Sequence, residues 1–402
     1  MIATRCSAAA FLLLLSSPTG FSQDLRRALP VEVARAPVSL NEEARFLAGY
    51  PLPPDSPLGR IQSSSAGKVH AAAFERLWAR YNEHRFIPMR AWSAAELSPR
   101  ILPTAPVLYF FSGPDAISAL ALYPFAPDYL LGGLEPVGAL PAPESLPRDR
   151  LNLALDNLRG STDVILSYGH FITKEMKDDL EATEFRGVLP VVLAFIAMTG
   201  GEVLEYCYFR IDQEGYAQDT GRSNSDGKAS GVRITFRKDA ASPPQRIHYV
   251  QADVANDSPK SRDSFLRWVE RFGNGNVYLK AASYLMHESS FSGIRDFLLR
   301  QAASILQDDS GIPFSFFQNG DWRCYFFGAY TGTLDIFKKY HQADLDRAFQ
   351  AAGVALAFGT GYKWKEGESN LLLAIRQAPP RAEPIAEPLA PVEPAVITRP
   401  VY

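Results

Sequence analysis

The stretch NVYLKAASYLMHESSFSGIRDFLLRQAASILQDDSGIPFSFF, Asn276–Phe317, decides the fold. Val277–Ala282 is β-rich and apolar except for Lys280, and Ser283, Tyr284, His287 and Glu288 follow where such a strand would end. Phe291, Ile294, Leu298 and Ala302 then recur at helical spacing, with Ser290 or Ser292 available to cap the start. Ala303–Gln307 has the length of a buried strand, and Asp308, Asp309, Ser310 and Gly311 close it with polar and turn residues. Strand, helix, strand in this order is the pattern of a βαβ unit.

A second such unit lies upstream. Val107–Phe111 is a short apolar run, Ser112-Gly113-Pro114-Asp115 makes a turn, an apolar helix reaches about Tyr123, and Tyr129–Leu134 forms the next strand before Glu135-Pro136. Pro114 fits a first helical turn and Ser112 can cap the exposed amides. A strand feeding straight into a helix N-terminus presents N–H groups and a positive dipole end to an anion or polar ligand.

Between the two units, Arg148–Arg159 places Leu151, Leu155 and Leu158 on one stripe, with Gly160 as a stop. Ile172–Glu184 reads as a charged surface helix, and Val188–Met198, apolar all round, as a buried one. Together they make a helical insertion at about 148–200. Glu205–Ile211, Val232–Arg237 and Arg246–Asp253 suggest an antiparallel section, and Phe265–Phe272 a helix ended by Gly273. Lys68–His84 is an amphipathic helix with His70 packed on its apolar face. Past the opening stretch, Trp322–Tyr330, Gly353–Ala357 and Asn370–Ile375 read as strands, with a helix at Ala343–Ala352.

A chain of 402 residues, 47% hydrophobic and 21% charged, can bury a large core, which we place in one α/β domain at 61–377. Net charge is -3 with Lys and Arg dispersed, so there is no electrostatic case for nucleic acid as a partner. Arg5, the apolar run Ala8–Leu15 and small residues to Ser22 have the layout of a signal peptide over 1–22. The expected protein is therefore exported, periplasmic or extracellular, and the run is too short to span a membrane. Residues 23–60, rich in Pro and small side chains, read as an extended arm, and 378–402 as a Pro-rich tail that cannot bury enough apolar surface to fold. Cys207 and Cys324 remain after export, either as one bridge or as two buried thiols.

The chemistry is collective. If the strands near 107–111, 129–134, 247–252, 277–282 and 303–307 are parallel, then Ser112, Gly113, Asp115, Glu135, Asp253, Ser283, His287, Asp308 and Asp309 fall at or just beyond their carboxyl ends. Open α/β sheets bind ligands at that edge, where strand order reverses. The leading reading is a small polar ligand: Ser112, Gly113 and Asp115 contact it at the helix N-terminus, Glu135 takes a hydroxyl, Asp253 and Asp309 line the same edge, and His287 hydrogen-bonds or transfers a proton. The competing reading is an enzyme, a hydrolase with Ser283 or Ser112 as nucleophile, His287 as base and Asp308 or Asp309 as orienter, or a transferase. The hydrolase reading lacks the G-x-S-x-G elbow. A carboxylate pair for glycoside chemistry could come from Glu135, Asp253, Asp308 and Asp309. A third reading is an envelope-interaction protein without a cleft. No H-E-x-x-H is present, and the Asp212–Gly231 loop, with Asp219, Asn224 and Asp226-Gly227, lacks the ligand alternation of a calcium loop. No metal site is therefore expected, and neither a cofactor nor an oligomeric state is indicated.

In its order of elements the chain resembles a class I methyltransferase or other Rossmann-like domain. In that resemblance Ser112-Gly113-Pro114 takes the place of the glycine-rich turn and Glu135 that of the ribose-binding acid, while Asp253 follows a later strand. The turn departs from the family by lacking G-x-G. The implied fold is a Rossmann-like mixed sheet with helices on both faces, interrupted by the helical insertion and the antiparallel section.

Overall fold

The computed structural model describes residues 38–168, 180, 184–224 and 227–377. The expected signal peptide, the Pro-rich tail and most of the Ile172–Glu184 segment lie outside the described residues. Within them run β1 (Val107–Tyr109), β2 (Asp128–Gly133), β3 (Glu202–Ile211), β4 (Ala217–Gly221), β5 (Gly231–Arg237), β6 (Gln245–Gln251), β7 (Gly275–Leu279), β8 (Ala302–Gln307), β9 (Trp322–Gly328), β10 (Gly353–Val354) and β11 (Asn370–Arg376). They form one mixed sheet in the order β10-β9-β11-β8-β7-β1-β2-β6-β5-β3-β4.

The centre, β8-β7-β1-β2-β6, is parallel throughout. These are the five strands whose common direction the candidate site requires. On one side β11 runs antiparallel to both β8 and β9. On the other, β5, β3 and β4 extend the sheet in antiparallel pairs from β6. β6 thus belongs to both the parallel core and the antiparallel section.

Strand alternation feeds two cores. Val107, Tyr109, Tyr129 and Leu131 join the helices Leu40–Leu47, Ser65–Tyr81, Ala116–Leu122, Arg148–Tyr168 and Val188–Met198 on one face. Leu108, Phe110 and Leu130 join Pro259–Glu270, Ser292–Gln301 and Ala343–Ala352 on the other. Because both faces are covered, β1 and β7 are buried along their whole length and read as continuous apolar runs.

Several local expectations are corrected. The extended arm over 23–60 contains a helix at Leu40–Leu47, opened by a capping box in which the Ser39 side chain accepts from Glu42 N and Ser39 N donates to the Glu42 carboxylate. That helix buries Leu40, Ala44, Phe46 and Leu47, which is why it forms in a Pro-rich surrounding. Gly160 does not stop its helix, which continues to Tyr168 and buries Ile165 and Leu166. Neither Ser290 nor Ser292 caps the helix Ser292–Gln301; Asn256 Oδ1 instead accepts from Gly293 N in its first turn at 3.1 Å. The loop at 212–231 holds β4, fully exposed and paired to β3 by backbone alone, so no apolar pattern marks it. Cys207 in β3 and Cys324 in β9 are free. Eight strand intervals separate them, roughly 38 Å at about 4.8 Å each, which excludes a bridge within the chain.

Candidate functional site

Strand order reverses between β1 and β7. From β1 the chain passes through Ala116–Leu122 to β2 on one side, and from β7 through Ser292–Gln301 to β8 on the other. The crevice left at the carboxyl ends of the two neighbours is the position at which open α/β sheets take ligands. A cavity of about 550 Å³ lies there, within the range of small-molecule sites.

Its lining comes from the tips of four of the five parallel strands. β1 leads into Phe111, Ser112, Gly113 and Asp115; β2 supplies Gly132, Gly133 and Glu135; β6 leads into Ala252, Asp253 and Val254; β7 into Lys280, Ala281, Ala282 and Ser283. Phe265, Phe291, Leu334, Ile336 and Phe337 add apolar wall, and Tyr362 a hydroxyl. Ile336 is 79% exposed although apolar, and it marks the mouth.

The backbone at this edge is strained. Phe111, Ala281, Ser283 and Tyr284, with φ of 64°, 50°, 54° and 54°, are the non-glycine residues in the left-handed region among the described residues. Such a conformation costs a side-chain-bearing residue about 1–2 kcal/mol and persists only where the surroundings impose it. All four follow β1 or β7, and three of them line the cavity. A Cβ at Gly133 would sit 2.4 Å from Glu135 Oε2 and 3.0 Å from Gly113 Cα, so the missing side chain lets the β1 turn and the Glu135 carboxylate approach each other.

The floor of the cavity is a buried ionic cluster. Lys280 Nζ donates to Asp115 Oδ2 and to Ser118 Oγ at 3.1 Å, and Tyr109 Oη donates to the same Asp115 oxygen at 2.8 Å. Asp115 also caps the helix Ala116–Leu122, accepting from Ser118 N through Oδ1. Ser112 does not act as the cap; its Oγ donates to backbone carbonyls of Gly113 and Gly132. The anion site expected at this helix N-terminus is therefore already filled by the protein's own carboxylate, which is 2% exposed.

Glu135 is buried, with Tyr249 Oη donating to its backbone carbonyl at 2.7 Å and standing 3.5 Å from Oε2. Asp253 sits exposed at the rim, where Oδ1 accepts from Ala255 N and Oδ2 from Ser258 Oγ. Of the residues read from sequence, then, Ser112, Gly113, Asp115, Glu135, Asp253 and Ser283 converge on one cavity.

The other three do not line it. His287 packs edge-on against Tyr284 and Tyr340, its Nε2 has no hydrogen-bond partner among the described residues, and burial lowers its pKa to about 4. Ser283 Oγ pairs with Tyr362 Oη at 2.8 Å, not with His287. Asp308 is engaged by Ala281 N at 2.9 Å and by Ser310. No hydrogen bond found among the described residues links Ser283, His287 and Asp308 into a relay, because the side chain of each is turned to a different neighbour. Asp309 faces away from the cavity too, accepting from Tyr284 Oη and from Asn370 Nδ2 at 3.0 Å.

Sequence reading passed over Lys280, Tyr109, the Gly132-Gly133 pair and Tyr362. Lys280 was visible as the one charge in an apolar run, a sign that a buried partner must exist, although β7 itself ends at Leu279. Tyr109 and Tyr362 carried no signal, since an aromatic in or beside a strand reads as core. Among the described residues no group of three or more His, Cys, Asp or Glu side chains is placed to hold a metal, and no helix is long and apolar enough to cross a membrane.

Comparison of the chain with protein-family models, curated proteins and solved structures returned no match.

Proposed function

We propose that this protein binds a nucleoside-like ligand without phosphate groups in the cavity at the β1/β7 reversal, on a Rossmann-like sheet of class I methyltransferase type. The observation that carries the reading is the convergence of the Gly113 turn, the buried Glu135 and the rim acid Asp253 on one cavity. Taken in chain order, the parallel strands β1, β2, β6, β7 and β8 lie as 3-2-1-4-5, the order of dinucleotide-binding sheets. The antiparallel β11 beside the fifth strand is the addition that resembles class I methyltransferases. In that resemblance Glu135 receives ribose hydroxyls and Asp253 a donor on the base, while the apolar wall of Phe111, Phe265 and Phe291 covers flat ring surface. Asp115 at the helix N-terminus argues against a phosphate there, since its carboxylate already takes the Ser118 amide and the Lys280 ammonium, the donors a phosphate would use.

A transferase is the second reading, favoured by the same strand order and by the Ser283 and Tyr362 hydroxyls on the cavity wall. Export, proposed from Arg5 and the run Ala8–Leu15, is tested separately by N-terminal sequencing of the protein from an envelope or culture fraction.

Thermal shift of the full chain tests the binding reading with adenosine, S-adenosylmethionine and NAD. Adenosine or S-adenosylmethionine is expected to raise Tm while NAD does not. Glu135→Ala should weaken that binding at least tenfold, consistent with about 1.5–3 kcal/mol for a hydrogen bond to a charged group. A wild-type chain that responds to no nucleoside, or a response that Glu135→Ala leaves intact, overturns the proposal.

A further inference from the structure

Asp308 and Asp309 follow β8, outside the cavity, yet the side chain of each reaches the segment 281–284 at its wall. Asp308 Oδ2 accepts from Ala281 N at 2.9 Å, while Ser310 Oγ, which donates to Asp308 Oδ1, accepts from Ala282 N at 2.8 Å. Two consecutive amides of the strained turn are thus held by one side-chain unit. Asp309 takes the Tyr284 hydroxyl and is itself fixed by Asn370, whose Nδ2 donates to Oδ1 and whose Oδ1 accepts from Asp309 N at 2.9 Å. From the opposite side Tyr362 Oη bonds Ser283 Oγ at 2.8 Å and Ala281 O at 3.0 Å. Gly361 lets this segment close in: a Cβ there would stand 2.1 Å from Asp308 Oδ2.

These contacts account for three of the four left-handed non-glycine residues among the described ones, Ala281, Ser283 and Tyr284. We propose that Asp308 and Asp309 are positioning residues that hold the 281–284 turn in its left-handed shape, and that the charge on this carboxylate pair sets how well the cavity binds its ligand. The inference rests on the cavity being a ligand site, as proposed above.

Two adjacent buried carboxylates cannot both ionise without repelling each other. Burial, and then Asp309, raise the pKa of Asp308 to about 7, and burial raises that of Asp309. The charged and titratable groups facing the pair are Tyr284, Tyr109, Tyr330, Tyr362 and Lys363. Burial raises all four tyrosines, Tyr330 and Tyr362 to about 12 and Tyr109 and Tyr284 well above the ordinary tyrosine value. The carboxylate pair is accordingly what changes charge near neutrality. Below that point one of the two carboxyls is protonated and the pair carries a single charge; above it two adjacent buried charges repel and the turn loosens.

The test measures adenosine affinity and hydrogen-exchange protection of the Ala281 and Ala282 amides from pH 5.5 to 8.5 in the full chain. Wild type is expected to lose at least threefold in affinity between pH 6 and pH 8, with a parallel loss of protection. Asp309→Asn keeps an acceptor for Asn370 and can donate to Tyr284 Oη, but it removes one charge, so both profiles should flatten with the pH 8 values restored. Asp308→Ala should cost at least tenfold in protection of Ala281 at every pH. If wild type binds no nucleoside but protection follows this pattern, the ligand assignment fails and the positioning role stands. If protection and affinity are flat with pH in wild type, or Asp309→Asn leaves their slope unchanged, the positioning role is wrong whatever the ligand.

Discussion

The two edges of the parallel sheet each bury a charged cluster, and they use it differently. At the carboxyl edge Lys280, Asp115, Tyr109 and Ser118 sit under a cavity, beside backbone held in left-handed conformations. Near the amino edge Asp128 at the start of β2 accepts from His248 at 2.8 Å and from Arg246 across the β2/β6 pairing. His248 is packed there among Phe209, Trp268 and Phe272, and none of these residues has a left-handed backbone or lines the cavity. Buried charge by itself, then, does not distinguish a site from a strap between strands. The difference lies in the strain and the open volume that accompany it.

The contrast can be broken most directly by removing each carboxylate. Asp115→Ala leaves Lys280 buried without its counter-ion and uncaps a helix, so a loss of about 3–5 kcal/mol in denaturant unfolding is expected. Asp128→Ala should cost less, about 1–3 kcal/mol, because the Arg246 side chain is 49% exposed and can turn to water. Equal losses would erase the distinction between the edges.

The pH dependence sharpens it further, because the two edges carry opposite signs. Burial lowers the pKa of His248, so its contribution to stability is present above the ordinary histidine pKa and fades as pH falls through the region below about 6.5. Asp308 is raised to about 7, so its contribution is present at low pH and fades as pH rises from about 4 through 7. His248→Gln should flatten the acid limb of a Tm profile and Asp309→Asn the neutral limb. Profiles in which both substitutions act on the same limb would contradict this assignment.

The smallest effect concerns the strain itself. Ala281→Gly releases about 1–2 kcal/mol of left-handed strain against about 0.5–1 kcal/mol of added chain entropy, so unfolding should shift by up to about 1.5 kcal/mol toward stability. A destabilised Ala281→Gly would mean that the turn is relaxed and the edges are alike in backbone.

Much of this architecture was legible before any coordinates. The strands expected at 277–282 and 303–307, found at Gly275–Leu279 and Ala302–Gln307, and the turn at 112–115 were marked by apolar runs ending in polar residues, because a strand buried on both faces leaves no other place for polarity than its tips. The same logic brought Ser112, Asp115, Glu135, Asp253 and Ser283 to one edge. It failed for His287, Asp308 and Asp309, since a residue just past a strand can turn toward the crevice or back beneath the next loop, and spacing carries no information on which. It also missed β4, whose pairing is made by backbone groups that every sequence possesses.

What the amino-acid order determined by itself is the periodicity of burial, and through it the βαβ units and the edge at which polar side chains collect. What only tertiary structure decided is which of those side chains face one another: the Asp115 carboxylate filling its own helix terminus, Lys280 finding it from β7, and Asp308 and Asp309 reaching back to hold the 281–284 turn. Apart from the Asp115 cap, which spans three positions, those meetings join residues from 25 to 165 positions apart. Their geometry is set by strand order and loop curvature, and local sequence patterns, which report only on a residue's near neighbours, do not encode either.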